Sequence, residues 1–531
     1  MPGSISGSLG TDLQDDETDE HHATVTSELL RRPSRQDLRP SLTLLNGLAI
    51  VISLQIGSGI FSAPSLISQH VGSSAEGLIV FIAAGLLVWT GAASFIELGL
   101  RVPSNGGIQE YLRASWGDYA GYLFTWIWVG ISKPVGNAVI STIFANYLLR
   151  SLLSSGPISP WTIKIVALGC VATLTVINCL GATAGAKAAN AFLLLKLGAL
   201  GSIIAIGLVN LISGHGGGVP TSGDGWFGGD RDTPRDDTDI WTWFGEFTTA
   251  LFAALFCYGG WETAGFIAGD LKDPRKDIPL IINGAMTLVI VGFFLMNVSL
   301  YICLPLDVIR ESTAVAVEFA RRTLGAWGGI VFSIVVAISA MGAVNANMFA
   351  VAKLTVVAAQ RAYVPPILAN SRCETSSDEA AYLRRTWPWP LQVPVQVFAR
   401  QTRKLRCDQS VPTFALLLHG VLTSLFILVG TFSDLIALLE MTKSFCYMWS
   451  VLGLFILRRA DGRKSAELQT KYRTWSGNPV IFASVSALLI IRGVLSAPLQ
   501  ASSVVLFAAL LGLAVLYRRF GPRSNEISAS V

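Results

Sequence analysis

The sequence predicts an all-α polytopic membrane protein of about 12 transmembrane helices, built as a 5+5 inverted repeat with broken helices 1 and 6. Three observations carry that expectation. Of 531 residues, 52% are hydrophobic and only 14% charged, against about 25% charged in an average soluble domain. Apolar runs of about 20 residues, each long enough to cross a bilayer, recur along most of the chain. Two glycine clusters, Ile56-Gly57-Ser58-Gly59-Ile60-Phe61 and Tyr258-Gly259-Gly260-Trp261, interrupt the first and sixth runs near their middles.

Those interruptions need a physical reason. Glycine inside a helix costs about 1 kcal/mol relative to alanine. In the hydrocarbon layer, unwound backbone persists only where it is buried in protein or lines a cavity, because no water satisfies its polar groups. For a single cluster, close helix packing by small residues is as good a reason as a ligand site. Two at corresponding positions point to a ligand site held between broken helices.

Along the chain, residues 1–40 are polar, first acidic (Asp15, Asp16, Glu17, Asp19, Glu20) and then basic, and read as a disordered cytosolic tail. A twelve-helix domain occupies 41–520, with spans at about 44–67, 77–100, 118–149, 161–180, 187–213, 242–268, 279–304, 327–358, 412–430, 433–457, 477–495 and 501–519. The outer loop 214–241 is rich in Gly and Asp without a calcium-loop spacing. Residues 359–411 form a long cytosolic loop rich in Pro, Trp and Arg, and 521–531 a cytosolic C-terminal tail. Lys and Arg gather in alternate segments, among them Arg31, Arg32, Lys272, Arg275, Lys276, Arg458, Arg459, Arg518 and Arg519. Both termini are therefore expected to be cytosolic. No charged segment followed by a short apolar one opens the chain, so the first span itself directs insertion.

Other functions lack their chemistry. The five histidines are scattered, with only His419 in a span, and no nucleophile, base or metal constellation forms, so no enzyme and no cofactor are expected. A channel calls for a repeated filter or a ring of charges. The net charge of +4 is too small and too spread out for nucleic acid. Cys170, Cys179, Cys257, Cys303 and Cys446 fall in apolar spans, and Cys373 and Cys407 in the basic loop, so none reads as part of a disulfide or zinc set.

The string IGSGIFSAP (56–64), the end of the second span with Glu97, Leu98 and Gly99, the subsequent Pro103, Asn105, Gly106 and Gly107, and the pair Glu110-Tyr111 resemble the amino acid–polyamine–organocation superfamily. The sixth span, FCYGGWETAGFIAGDLKDPRKDIPLII (256–282), with Ala343-Val344-Asn345 in the eighth, is similar to the L-type amino acid transporters and the related fungal methionine permeases. The resemblance runs from about 44 to 520. It implies a secondary transporter of neutral L-amino acids, methionine or other large neutral ones among them, with ten core helices and two extra. It also implies that the residue at Phe256 is an aromatic gate toward the outside. Lys196 matches a lysine that points at the first break and takes the place of a sodium ion. Two departures stand out. Animal L-type light chains carry a Cys between spans three and four that bonds a single-span partner, and the segment from Arg150 to Trp161 has none. A covalent heavy chain is therefore not expected. Positions that are asparagine-like in the family are here Glu262 and Lys443.

The chemistry expected of the site arises from helix ends. A helix N-terminus presents free N–H groups and a positive dipole end suited to a carboxylate; Gly57, Ser58 and Gly59, and Ile60 next to them, occupy that place. Unwound carbonyls suit the ammonium, and the candidates are Ile56 in span one and Phe256, Cys257 and Gly259 in span six, with Tyr258 between them. Asn345 is carried as a further binding residue by the resemblance. An ionisable group mid-span costs about 2.5–3.5 kcal/mol and so needs a partner or a task. Lys196 is read either as a proton carrier or as a charged strut on span-one carbonyls, which makes uptake Na+-independent and either proton-coupled or exchanging. Glu262 and Lys443 are candidates for a pair across spans six and ten, in the side-chain pocket or as a structural ion pair. Glu97, Lys133, Lys353 and Arg492 are read as braces or snorkelling groups. An amino-acid sensor on the same scaffold would show the same site, and the plasma membrane is preferred over the vacuole.

Overall fold

A computed structural model describes residues 43–57, 59–102, 106–153, 158–180, 183–214, 240–266, 268, 271–361, 363–365, 368, 412–461 and 472–496. The tail 1–40, almost all of the loop 359–411, the twelfth apolar run 501–519 and the tail 521–531 lie outside the described residues, as does Ser58.

The first span starts where Thr43 accepts a hydrogen bond from the Asn46 N–H at 3.4 Å, capping α1 (Leu44–Gln55). At Ile56 the chain turns: φ −77° and ψ 76° are those of an inverse γ-turn, closed by the Gly57 N–H on the Gln55 carbonyl at 2.8 Å. Helix α2 (Gly59–Gln69) then resumes at 40° to α1. Span two is α3 (Ser74–Arg101), opened by Ser73 accepting from the Glu76 N–H while Glu76 accepts from the Gly72 N–H. This reciprocal arrangement resembles a capping box. A short helix α4 (Ile108–Trp116) precedes span three.

Span three is α5 (Asp118–Ile127), a π-helical turn (Trp128–Ser132), and α6 (Lys133–Leu152). The turn has a cause in Pro134, which lacks an N–H and clashes with the carbonyl four residues back. Widening the helix there relieves both. Helices α7 (Pro160–Leu180) and α8 (Thr183–Ile212) are spans four and five. Span six runs as α9 (Ile240–Cys257), unwinds over Tyr258–Glu262, and recovers for one turn as α10 (Thr263–Phe266). Span seven is α11 (Pro274–Cys303), and the short α12 (Leu306–Glu311) comes after it. Helix α13 (Val315–Gln360) is broken at Gly325, whose φ of 78° lies in the left-handed region. The sequence boundary of 327 for span eight reflects that break. Helices α14 (Thr413–Val429), α15 (Phe432–Asp461) and α16 (Gly477–Ser496) complete the described fold.

Among the described residues, eight helices are long and apolar enough to cross a membrane, and the bent pair α1 and α2 supplies a ninth. Helices α14 and α16 are apolar but shorter. The described chain is all-helical, as expected, and is that of an integral, multi-pass membrane protein. One continuous core joins the helices, and both helix breaks lie inside it.

Candidate substrate site

The two breaks meet backbone to backbone. Gly260 has φ 110°, and a Cβ there would lie 2.7 Å from the Leu54 carbonyl carbon and 2.9 Å from the Gln55 nitrogen. Only glycine combines that conformation with that approach. On the other side of the junction, the Phe256 ring lies over Gly59, where a Cβ would be 2.7 Å from its Cε1. Gly57 differs: its Cβ would have nothing nearer than 3.9 Å. Gly57, Phe256, Gly259 and Gly260 are half-buried while Ile56, Gly59, Ile60 and Tyr258 are buried. Accessible backbone in the middle of two spans is what a small polar ligand requires.

The remaining sequence candidates divide by what their side chains touch. The first turn of α2, from Gly59 and Ile60, presents N–H groups that an α-helix leaves without an intrahelical acceptor. The Gly57 N–H is turned back onto Gln55, so it serves the turn. Ile56 and Ile60 are 0% exposed and offer backbone only. The Cys257 thiol points to the Ala253 carbonyl of its own helix at 3.6 Å. The Tyr258 hydroxyl donates to the Phe81 carbonyl of α3 at 3.1 Å, holding span six to span two and leaving only its backbone for a ligand. Asn345 accepts from Asn178 at 2.7 Å, a bond from span four to span eight rather than to either break.

Lys196 is 3% exposed and its Nζ donates to the Ser53 carbonyl of α1 at 3.0 Å. The candidate pair Glu262–Lys443 is not made. Lys443 instead bonds Glu440 on its own helix at 2.7 Å, and Glu262 accepts from the Gly260 N–H at 2.8 Å with Lys133 at 4.0 Å. The i,i+3 neighbour is the shorter reach for Lys443, and the tight turn at Gly260 leaves an N–H that Glu262 can satisfy two residues on. Glu440, 4% exposed, is a member of the site that sequence reasoning missed. Its signal was present in the helical spacing to Lys443. Lys133 braces as expected, but it does so at the span-six break, with its ammonium 5.3 Å from the centre of the Trp128 ring.

An aromatic floor underlies the break. Trp261 stands edge-on to Phe95 at 4.7 Å and lies 5.1 Å from Tyr447, which is 6.0 Å from Trp128. A cavity of about 30 Å³, room for a single water, lies among Gly259, Trp261, Glu440, Lys443 and Tyr447. A larger open groove of about 740 Å³ between α8 and α11 is lined by Leu200, Ile204 and Val291. It lacks convergent charged groups and lies away from the breaks.

Further ties surround the junction. Arg310 in α12 donates to the Ser68 and Val71 carbonyls at 2.9 Å each, fixing the far end of α2, and Tyr147 donates to the Phe61 carbonyl at 2.7 Å in its first turn. On span two, Glu97, 0% exposed, takes Arg458 at 2.7 Å, Arg101 at 2.9 Å and the Thr474 N–H at 2.8 Å. Glu97 is thus the brace expected of it. The side chains of Lys353 and Arg492 lie outside the described residues.

Two broken spans in backbone contact, with a buried ammonium on one and paired charges around the other, define a membrane transporter of the broken-helix class rather than an enzyme. The chain belongs to the amino acid permease family, whose pattern matches residues 42–516. It is similar to the b(0,+)-type amino acid transporter 1 of Mus musculus, 26% identical over 490 residues, 91% of this chain and 89% of that one. It is also similar to the cystine/glutamate transporter of Homo sapiens, 30% identical over 331 residues covering 62% of this chain and 63% of the relative. The large neutral amino acids transporter small subunit 2 of Mus musculus is 30% identical over 340 residues, 62% of this chain and 60% of that one. The L-type resemblance of the sequence motifs is upheld by these relatives.

Proposed function

We propose that this protein carries neutral L-amino acids across a membrane, binding them at the junction of the two breaks. The observation that carries the reading is the half-buried backbone of Gly57, Phe256, Gly259 and Gly260 where the spans unwind, in a chain whose relatives are named as amino acid transporters. The substrate carboxylate faces the first turn of α2 (Gly59, Ile60), where N–H groups and the helix dipole favour an anion. Its ammonium faces the carbonyls of Ile56, Phe256, Cys257 and Gly259. Phe256, lying on Gly59, covers the site from the α9 side.

With this reading we propose a twelve-helix 5+5 inverted repeat that takes the apolar run 501–519 as its twelfth span, with both termini cytosolic by the distribution of Lys and Arg. Residues 41–520 form the transporter domain. The plasma membrane is the proposed residence. No covalent partner is needed, because the segment from Arg150 to Trp161 holds no Cys.

The test is uptake of labelled leucine by proteoliposomes holding the protein alone, with a competition panel of unlabelled amino acids. Saturable uptake displaced by neutral L-amino acids supports the reading. Ligand binding without translocation would instead make the protein a sensor. Strict dependence on a co-reconstituted single-span glycoprotein would overturn the proposal that it works alone.

A further inference from the structure

Four buried charges surround the span-six break, and they sum to zero. Glu262 bonds the Gly260 N–H at 2.8 Å, and Lys133 of span three stands 4.0 Å from its other oxygen. On span ten, Lys443 bonds Glu440 at 2.7 Å, and its Nζ is 2.8 Å from where a Cβ on Gly259 would be. The four are not two separate pairs. The two halves meet at one stretch of backbone, because Glu262 bonds the Gly260 N–H while the Lys443 ammonium packs against the adjacent Gly259. The Glu262 and Glu440 side chains are 3% and 5% exposed, and those of Lys133 and Lys443 19% and 12%. The remaining buried lysine near the breaks, Lys196, is on the Ser53 carbonyl of span one.

A charge-balanced cluster in this place has a consequence for the ligand. Well-packed apolar residues generally serve stability as well as a buried ion pair does, so stability alone gives no reason for two. Inside a low-dielectric core, charges act on one another far more strongly than in water. A cluster of net charge zero offers a charged ligand no counter-charge to offset the cost of leaving water, whereas a zwitterion, whose own charges cancel, needs none. Removing one member leaves an uncompensated charge beside the ligand, which favours a ligand of opposite net charge and disfavours one of like charge.

We propose that Lys133, Glu262, Glu440 and Lys443 form a charge-balance filter that restricts the site to amino acids of zero net charge. Lys443 and Glu440 are its adjustable half, because neither holds the backbone turn as Glu262 does. The proposal rests on the amino-acid transport reading and adds to it the determinant of substrate charge.

The experiment is competition against labelled leucine in proteoliposomes, using unlabelled leucine, arginine and glutamate. Wild-type uptake of leucine tests the transport reading by itself. Lys443→Gln makes the cluster net negative and should bring arginine in as a competitor. Glu440→Gln makes it net positive and should bring in glutamate. Leucine, which carries no net charge, should be affected far less than either ion. The double variant Glu440→Gln/Lys443→Gln restores zero charge and should again exclude both ions. Lys133→Gln leaves the Glu440–Lys443 bond untouched and should shift preference in the same direction as Lys443→Gln, so the idea stays testable if a single span-ten variant fails to fold. Leucine transport that persists in these variants with arginine and glutamate still excluded would overturn the filter and leave the cluster as a structural brace.

Discussion

At the residue scale the glycines of the breaks do three different jobs, and substitution separates them. Gly260 combines φ 110° with a backbone neighbour 2.7 Å from any Cβ. Gly260→Ala should cost about 1–3 kcal/mol in backbone strain alone, with the Leu54 backbone forced away in addition. Reduced yield and a lower melting temperature in detergent are the expected readout. Gly59 meets a side chain instead, so Gly59→Val should displace the Phe256 ring, leaving a folded protein that has lost substrate affinity. At Gly57 the space is open, with no atom nearer than 3.9 Å. Gly57→Ala should therefore insert and melt like the wild type yet fail to take up substrate, because the methyl group enters the volume assigned to the ligand. Normal uptake by a well-folded Gly57→Ala protein would move the site elsewhere. Fluorescence size-exclusion profiles beside uptake distinguish the three outcomes.

At the scale of elements, most of the architecture was legible in the sequence and most of the pairing was not. Among the described residues, apolar length and flanking glycine located the spans to within about five residues, except at the start of span eight, where the helix runs on past Gly325 to Val315, because those signals are local to each helix. Ion pairs in a bundle depend on which helices become neighbours, so Glu97 with Arg458, 361 residues apart, gave no local sign. Lys133 was hidden for another reason. An extra residue in the π-helical turn at Trp128–Ser132 rotates the downstream helix by about 100°, so simple helical periodicity misjudges the face that Lys133 occupies. The brace at Glu97 holds α3, α15 and the segment before α16 together. Arg458→Met should remove the Arg458 hydrogen bonds to that carboxylate while Arg101 and the Thr474 N–H stay in place, and lower stability by about 2–3 kcal/mol, measured as a shift in thermal unfolding in detergent. A second tie joins α5 to Tyr363, which follows α13 and lies outside the spans: the Tyr363 hydroxyl donates to the Asp118 carboxylate, and Trp126 to the Tyr363 carbonyl at 3.0 Å. Burial and the Asp118 charge push the Tyr363 phenol up to about 12 from its ordinary 10. A raised pKa means that this contribution is complete below pH ~10 and is lost as pH climbs through about 12. Tyr363→Phe should remove about 1 kcal/mol at neutral pH and flatten the alkaline part of the stability curve; a variant with the wild-type alkaline slope would show that another group causes it.

At the scale of the whole molecule, the question is what drives net movement of substrate, and Lys196 is where the fold poses it. Its ammonium, 3% exposed, reaches from span five to the Ser53 carbonyl at 3.0 Å, just before the chain turns at Ile56. A fixed cation at that point supplies the positive charge that a bound metal ion would otherwise have to bring to unwound carbonyls. Uptake is therefore expected to be indifferent to a sodium gradient. The same lysine ties span five to α1, so any motion that alternately opens the two sides must either carry the bond along or break it. If the bond breaks and the proton leaves, transport is proton-coupled; if the ammonium stays charged throughout, the lysine is a strut and the protein exchanges or facilitates. Proteoliposomes with sodium and pH gradients imposed separately resolve the alternatives. Accumulation driven by an inward pH gradient, weakened by a protonophore and lost in Lys196→Ala, assigns the proton to Lys196. Lys196→Ala also leaves the Ser53 carbonyl without its donor, at a cost of about 1–3 kcal/mol for a buried unsatisfied group, so exchange of pre-loaded substrate by the variant is the control that its site remains intact. Accumulation driven by sodium alone would refute the role given to Lys196.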